Sequence, residues 1–166
     1  MNLAGPLLPE FDQEMAATRR VLERAPEAAF SWRPHDKSWT LGGLATHLSN
    51  IPHWGVAILN FDGHDLVRDA GAPNQEKVTV ADVLTTFDGH VNAARARLLT
   101  MTDGELMAPW SLKRDGTVLM SMPRVAAFKS FVVNHLIHHR GQLTVYLRLQ
   151  NVPLPPIYGP TADEGL

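Results

Sequence analysis

Phe131–Arg148 reads FVVNHLIHHRGQLTVYLR, and the helical phase of its three histidines decides what the chain can build. Set His135 at zero and lay out residues 124–150 at about 100° per residue. Ser130, Asn134, Gly141, Thr144 and Arg148 then gather around a polar direction near about 220°. Phe128, Val132, Leu143 and Tyr146 gather opposite, near about 40°. His139 falls close to the middle of that apolar face, with His135 about 40° to one side and His138 on the boundary. The phase therefore predicts a helix that aims two imidazoles, one turn apart, into its own core.

Burying an imidazole costs free energy unless a partner satisfies it. Residues at i and i+4 are neighbours on a helix surface, so His135 and His139 can both reach one bound ion. A lone histidine on an apolar face is more often a hydrogen-bonded core residue. A pair at this spacing leaves a metal and a satisfied core pair as the alternatives.

The 166-residue chain is 45% hydrophobic, an ordinary globular composition for one domain over 1–166 that buries about 70% of its unfolded surface. A net charge of −2 excludes a sequence-independent nucleic-acid binder, which needs a basic face for phosphates. No polybasic run suggests anionic lipid, and no apolar run approaches the roughly 18 residues of a spanning helix. The start, MNLAGPLLPE, lacks the basic and long apolar regions of a signal peptide, so a cytoplasmic location is expected. There is no cysteine, hence no disulfide, no thiolate ligand and no thiol nucleophile. Any metal must be held by histidine, carboxylate or carbonyl groups.

Taken in order, Leu7, Phe11, Met15, Thr18 and Leu22 predict a helix over 7–25, ended by Pro26. A loop with Trp32 and Trp39 follows, expected to lid one end of the core, and His35 within it is expected to be solvated. Thr40 or Ser38 can cap a second helix over 41–60, with Leu44, Leu48, Ile51 and Ile58 inward. His47 lies on the edge of that face and can point inward, His53 belongs to the opposite side, and Pro52 should kink or break the helix. The connection 62–77 carries His64, which reads as surface. Thr79 and Asp82 resemble a capping box opening a third helix over 80–100, where His90 reads as structural. Residues 101–123 are expected to be non-helical, with two short strands about Asp115-Gly116. The fourth helix covers 124–149, and a Pro-rich extended ending follows. Helices of about 20 residues and about 30 Å suit a four-helix bundle whose long connections permit crossovers. The expected fold is thus all-α, a four-helix bundle with a small β-hairpin between its third and fourth helices.

His47 within LATHLSN after KSWTLGG, then NHLIHHRGQLTVYLR, then VPLPPIYGPTADE, resembles the DinB/YfiT-like family of metalloenzymes over nearly the whole chain. The resemblance implies an up-down-down-up four-helix bundle, a homodimer, and a zinc or nickel ion held by three histidines. Carried onto this chain, the implied metal ligands are His47, His135 and His139. Gly141 and Gln142 also match; a glycine inside a helix costs about 1 kcal/mol relative to alanine, which suggests a close backbone approach at Gly141. Three neutral imidazoles leave a coordination position open, as in catalytic rather than structural zinc. The resemblance implies a transferase of a low-molecular-weight thiol onto an electrophile, with a metal-dependent hydrolase as the enzyme alternative. The rival from another class is a stress-related protein that works by partner binding and whose metal is structural or vestigial, a structural one being closed off by a fourth protein ligand. Asn134, His138, Arg140 and Trp54 lie near these positions in sequence without an assigned role.

Overall fold

Four long helical stretches and a small sheet are built from the elements that the periodicity marks. The computed structural model describes residues 4–70 and 75–165, so residues 71–74 of the 62–77 connection lie outside the described ones. Helix α1 spans Ala4–Leu22 and α2 spans Leu41–Asn60. Helix α3 spans Val80–Leu99. The last helical stretch runs without a break through α5 (Arg124–Phe128), a π-helical segment (Lys129–Asn134) and α6 (His135–Leu149). Around the core the order is α1, α3, α2, α6, because α2 packs on α3 and α6 while α1 packs on α3 and α6. Sequence neighbours α1 and α2 therefore stand across the core, as the long crossing connections allow.

The starts of α2 and α3 have a chemical cause. The Thr40 side chain accepts from the Gly43 N–H and caps α2, and Thr79 does the same for α3 from Asp82. Pro52 lies buried inside α2 without ending it, so of the expected kink or break the helix shows no break. Region 101–123 also differs from expectation, because it contains α4 (Asp103–Met107). Thr102 and Glu105 close a full capping box there, satisfying the first free N–H groups of so short a helix.

Strands β2 (Pro109–Arg114) and β3 (Thr117–Pro123) form the expected hairpin. A third strand, β1 (Gly63–Asp65), joins it in parallel, making a sheet of order β1-β2-β3. Asp65 holds this addition in place. Its buried carboxylate accepts the N–H groups of Val67 and Arg68 from its own turn and of Asp115 and Gly116 from the hairpin turn. Those four bonds hold it far below the usual carboxylate range. At Gly116 the backbone takes φ +83°, which favours glycine.

The core joins Phe11, Leu44, Leu48, Ile51, Phe87, Leu98, Phe128 and Leu136, all buried. Gly55 is where a close approach is needed: a Cβ there would lie 3.0 Å from the Phe128 ring. Within the chain Gly141 is not such a place, because a Cβ there would meet nothing within 4 Å. The C-terminal segment is docked by polar contacts. Arg140, buried, pairs with Glu14 at 2.7 Å and donates to the Tyr158 hydroxyl at 2.6 Å, and that hydroxyl donates to Glu14 at 2.8 Å. Arg148 pairs with Asp163, and Arg24 with Glu164 at 2.7 Å.

Candidate metal centre

Three imidazoles converge where α2 meets the start of α6. His47 comes from α2, and His135 and His139 come from successive turns of α6. The Nε2 atom of His135 lies 3.2 Å from Nε2 of His47 and 2.9 Å from Nε2 of His139. One nitrogen from each of the three lies within 4.8 Å of the others, and no fourth histidine, aspartate or glutamate completes the group among the described residues.

The imidazoles are half-buried on the flank of α6 rather than centred in its core face. The buried residues of α6 are Leu136, Arg140, Leu143 and Leu147, which centre near about 110° when His135 is at zero. The expected centre near about 40° is therefore corrected, and the π-helical segment is the reason. A π turn winds about 80° per residue rather than about 100°, so Val132 swings round to about 120° and Phe128 to about 160°, both toward the true core line. The histidines are left facing the groove toward α2. His138 is exposed and stands outside the cluster, its ring 4.8 Å from that of His139.

Hydrogen bonds decide which nitrogens are bare. The amide oxygen of Gln142 lies 2.7 Å from Nδ1 of His139 and accepts its proton, so Nε2 of His139 carries only a lone pair. The backbone N–H of His135 donates to the Val132 carbonyl at the end of the π-helical segment. The Nε2 atoms of His135 and His139 face each other at 2.9 Å, a spacing that a shared proton or a cation between them would satisfy. A proton is disfavoured there. Burial, ahead of their neighbours' charges, lowers the pKa of both His135 and His139. His47 is pushed down to about 4 by burial first and then by the charges of His139 and His135. Metal–nitrogen bonds of about 2.0–2.1 Å in tetrahedral geometry place nitrogens about 3.4 Å apart, close to the spacing present. The residues fit a divalent ion.

Trp39 is the part of the site that the sequence did not disclose. It lies over the imidazoles, stacked on His139 at 5.5 Å and 11°, and edge-on to His47 at 4.5 Å. Its position just before the Thr40 cap was the available signal, since a hydrophobic residue there packs onto the first turns of the helix. A cleft of about 420 Å³ reaches His47 past Arg33, Asn50 and Glu76. Another of about 240 Å³ reaches His139 past Lys37, Gln142 and Tyr146.

The remaining histidines serve elsewhere. His90 Nδ1 donates to the Ser49 carbonyl at 3.0 Å, a structural role as expected, and exposed His53 lies beside it. His35 is exposed. His64 is half-buried against Trp54 rather than on the surface. That contact accounts for Trp54, and Arg140 is accounted for by Glu14 and Tyr158.

Comparison with known proteins agrees with the fold. The sequence model of the DinB superfamily matches residues 10–143, a span that includes all three histidines. The uncharacterised protein YrdA of Bacillus subtilis strain 168 is 28% identical over 159 residues, covering 95% of this chain and 89% of YrdA. The crystal structure of a DinB-like protein, YjoA of Bacillus subtilis, matches with a TM-score of 0.71 at 18% identity, covering 93% of this chain and 97% of that one. A DinB-like protein from Bacillus cereus ATCC 10987 matches with a TM-score of 0.69 at 23% identity, covering 91% and 95%.

Proposed function

The chain belongs to the DinB superfamily, and from that premise we propose that it is a metal-dependent transferase, moving a low-molecular-weight thiol onto a small electrophile. His47, His135 and His139 are the proposed ligands of one zinc or nickel ion. The observation that carries the metal is the pair of Nε2 atoms of His135 and His139 facing each other at 2.9 Å with the third imidazole beside them. What supports catalysis is access: two clefts reach the histidines, and no fourth carboxylate or imidazole closes the group among the described residues. That same observation weighs against the stress-related binding protein with a closed metal. The thiol half of the proposal rests on the family resemblance, and the absence of cysteine makes the thiol a co-substrate.

When bound, a divalent ion supplies Lewis acidity toward a thiol or a water. The chain's own groups do the rest. Gln142 fixes the tautomer of His139. Burial keeps all three imidazoles neutral and able to donate lone pairs. Arg33, Asn50 and Glu76 offer polar contacts to a reactant in the larger cleft. We place the protein in the cytoplasm as one domain over 1–166 and as a homodimer; among the described residues no helix is long and apolar enough to cross a membrane.

The test begins with elemental analysis of untagged protein purified without added metal. The loaded protein is then given 2-mercaptoethanol and 1-chloro-2,4-dinitrobenzene. In the transfer, a sulfur–carbon bond forms, chloride leaves and the thiol proton passes to solvent. A thioether rate above that of His47→Ala supports transfer. Release of the dinitrophenol by water instead would support the hydrolase.

A further inference from the structure

We propose that Trp39 is the specificity-determining residue of the three-histidine site, a fixed wall that makes any ligand of the ion fit on one side of the indole or the other. The inference rests on the metal reading above. One side chain braces two of the three imidazoles, lying flat on His139 at 11° and meeting His47 edge-on at 77°. The two clefts have only Ser38 and Trp39 in common, so this short stretch is what divides them.

The wall is held from behind. The Tyr146 hydroxyl donates to the Trp39 carbonyl at 3.3 Å, and the Tyr146 ring meets Trp32 edge-on at 5.7 Å. Leu41 N–H donates to the Trp32 carbonyl at 2.8 Å, and Gly42 N–H to the Phe30 carbonyl at 2.9 Å, closing the loop onto the start of α2. Trp39 is nevertheless 48% exposed, so core packing does not account for so large a ring at this place. Its unburied face borders both openings. A group too large for the cleft of about 240 Å³ must enter past His47, where Arg33 and Glu76 line the way. Without the indole the two openings become one.

Cobalt(II) reports on this without any enzymatic assay. Wild type, Trp39→Phe and Trp39→Ala are loaded with cobalt(II) and titrated with imidazole and with 4-phenylimidazole, following the visible cobalt bands. The wild type should prefer the smaller ligand. In Trp39→Ala the affinity ratio should move toward the bulky ligand by about tenfold, about what one lost aromatic wall is worth. Trp39→Phe, which keeps a ring over His139, should move less; if Trp39→Ala does not fold, a shift in Trp39→Phe alone decides. Cobalt should also quench the tryptophan fluorescence of wild type more than that of either variant. Equal ligand ratios in loaded proteins would overturn the wall while leaving the metal site standing. Failure of the wild type to take up cobalt would remove the metal site itself, and the wall with it.

Discussion

At the scale of single residues, the site depends on keeping imidazoles neutral and correctly turned. His47 titrates near pH 4 in the folded chain against 6.5 in its absence, so the unfolded chain binds more protons between those values. The share of the metal-free protein's stability that His47 governs is therefore whole above pH 6.5 and is lost as pH falls through about 4. Thermal midpoints across that window should fall more steeply for wild type than for His47→Gln; parallel curves would contradict the assignment. Gln142→Leu leaves Nδ1 of His139 without its acceptor and should weaken metal binding by about 10–100-fold, as read by competitive titration with a chromogenic chelator. His135 and His139 were legible as a pair from their i,i+4 spacing, whereas His47, on the edge of its helix face, came in as a ligand through the family resemblance, and the core face of α6 was misplaced. Trp39 was not legible, because its contact with the histidines is made from a loop whose path only the folded chain supplies.

At the scale of elements, two helical glycines should respond in opposite directions. Gly55→Ala brings a Cβ to 3.0 Å from Phe128 and 3.4 Å from Ala94, and should cost about 1–3 kcal/mol in chemical denaturation. Gly141→Ala meets nothing and should gain about 0.5–1 kcal/mol, through helix propensity alone. A loss at Gly141 would instead place a partner subunit against α6, and light scattering of the variant would then show a weakened dimer. Helix bounds were legible to within a few residues where Thr40 and Thr79 cap them. The box between Thr102 and Glu105 was also written in the sequence, and it is the signal that would have found α4. The π-helical segment before His135 carries no comparable mark. It changes the winding by a small angle per residue, enough to turn the core line of α5 onto that of α6 and leave the histidines at the groove.

At the scale of the whole molecule, the bundle was legible in its periodicity, and the reason for its final segment was not. The ending VPLPPIYGPTADE proves to be a clamp: Tyr158 reaches the buried Arg140–Glu14 pair, while Asp163 and Glu164 take Arg148 and Arg24. Arg140→Ala strands the Glu14 carboxylate and should cost about 3–5 kcal/mol in urea unfolding, whereas Tyr158→Phe should cost about 1 kcal/mol. A small effect of Arg140→Ala would show that the tail does not depend on the pair. The other join is the one proposed for an ion held between α2 and α6 by three imidazoles. Its test is the metal content of untagged wild type, His47→Ala, His139→Ala and His138→Ala after equilibration with zinc. One equivalent is expected in wild type and His138→Ala, and loss of most metal in His47→Ala and His139→Ala. Metal retained by His139→Ala but lost from His138→Ala would contradict it.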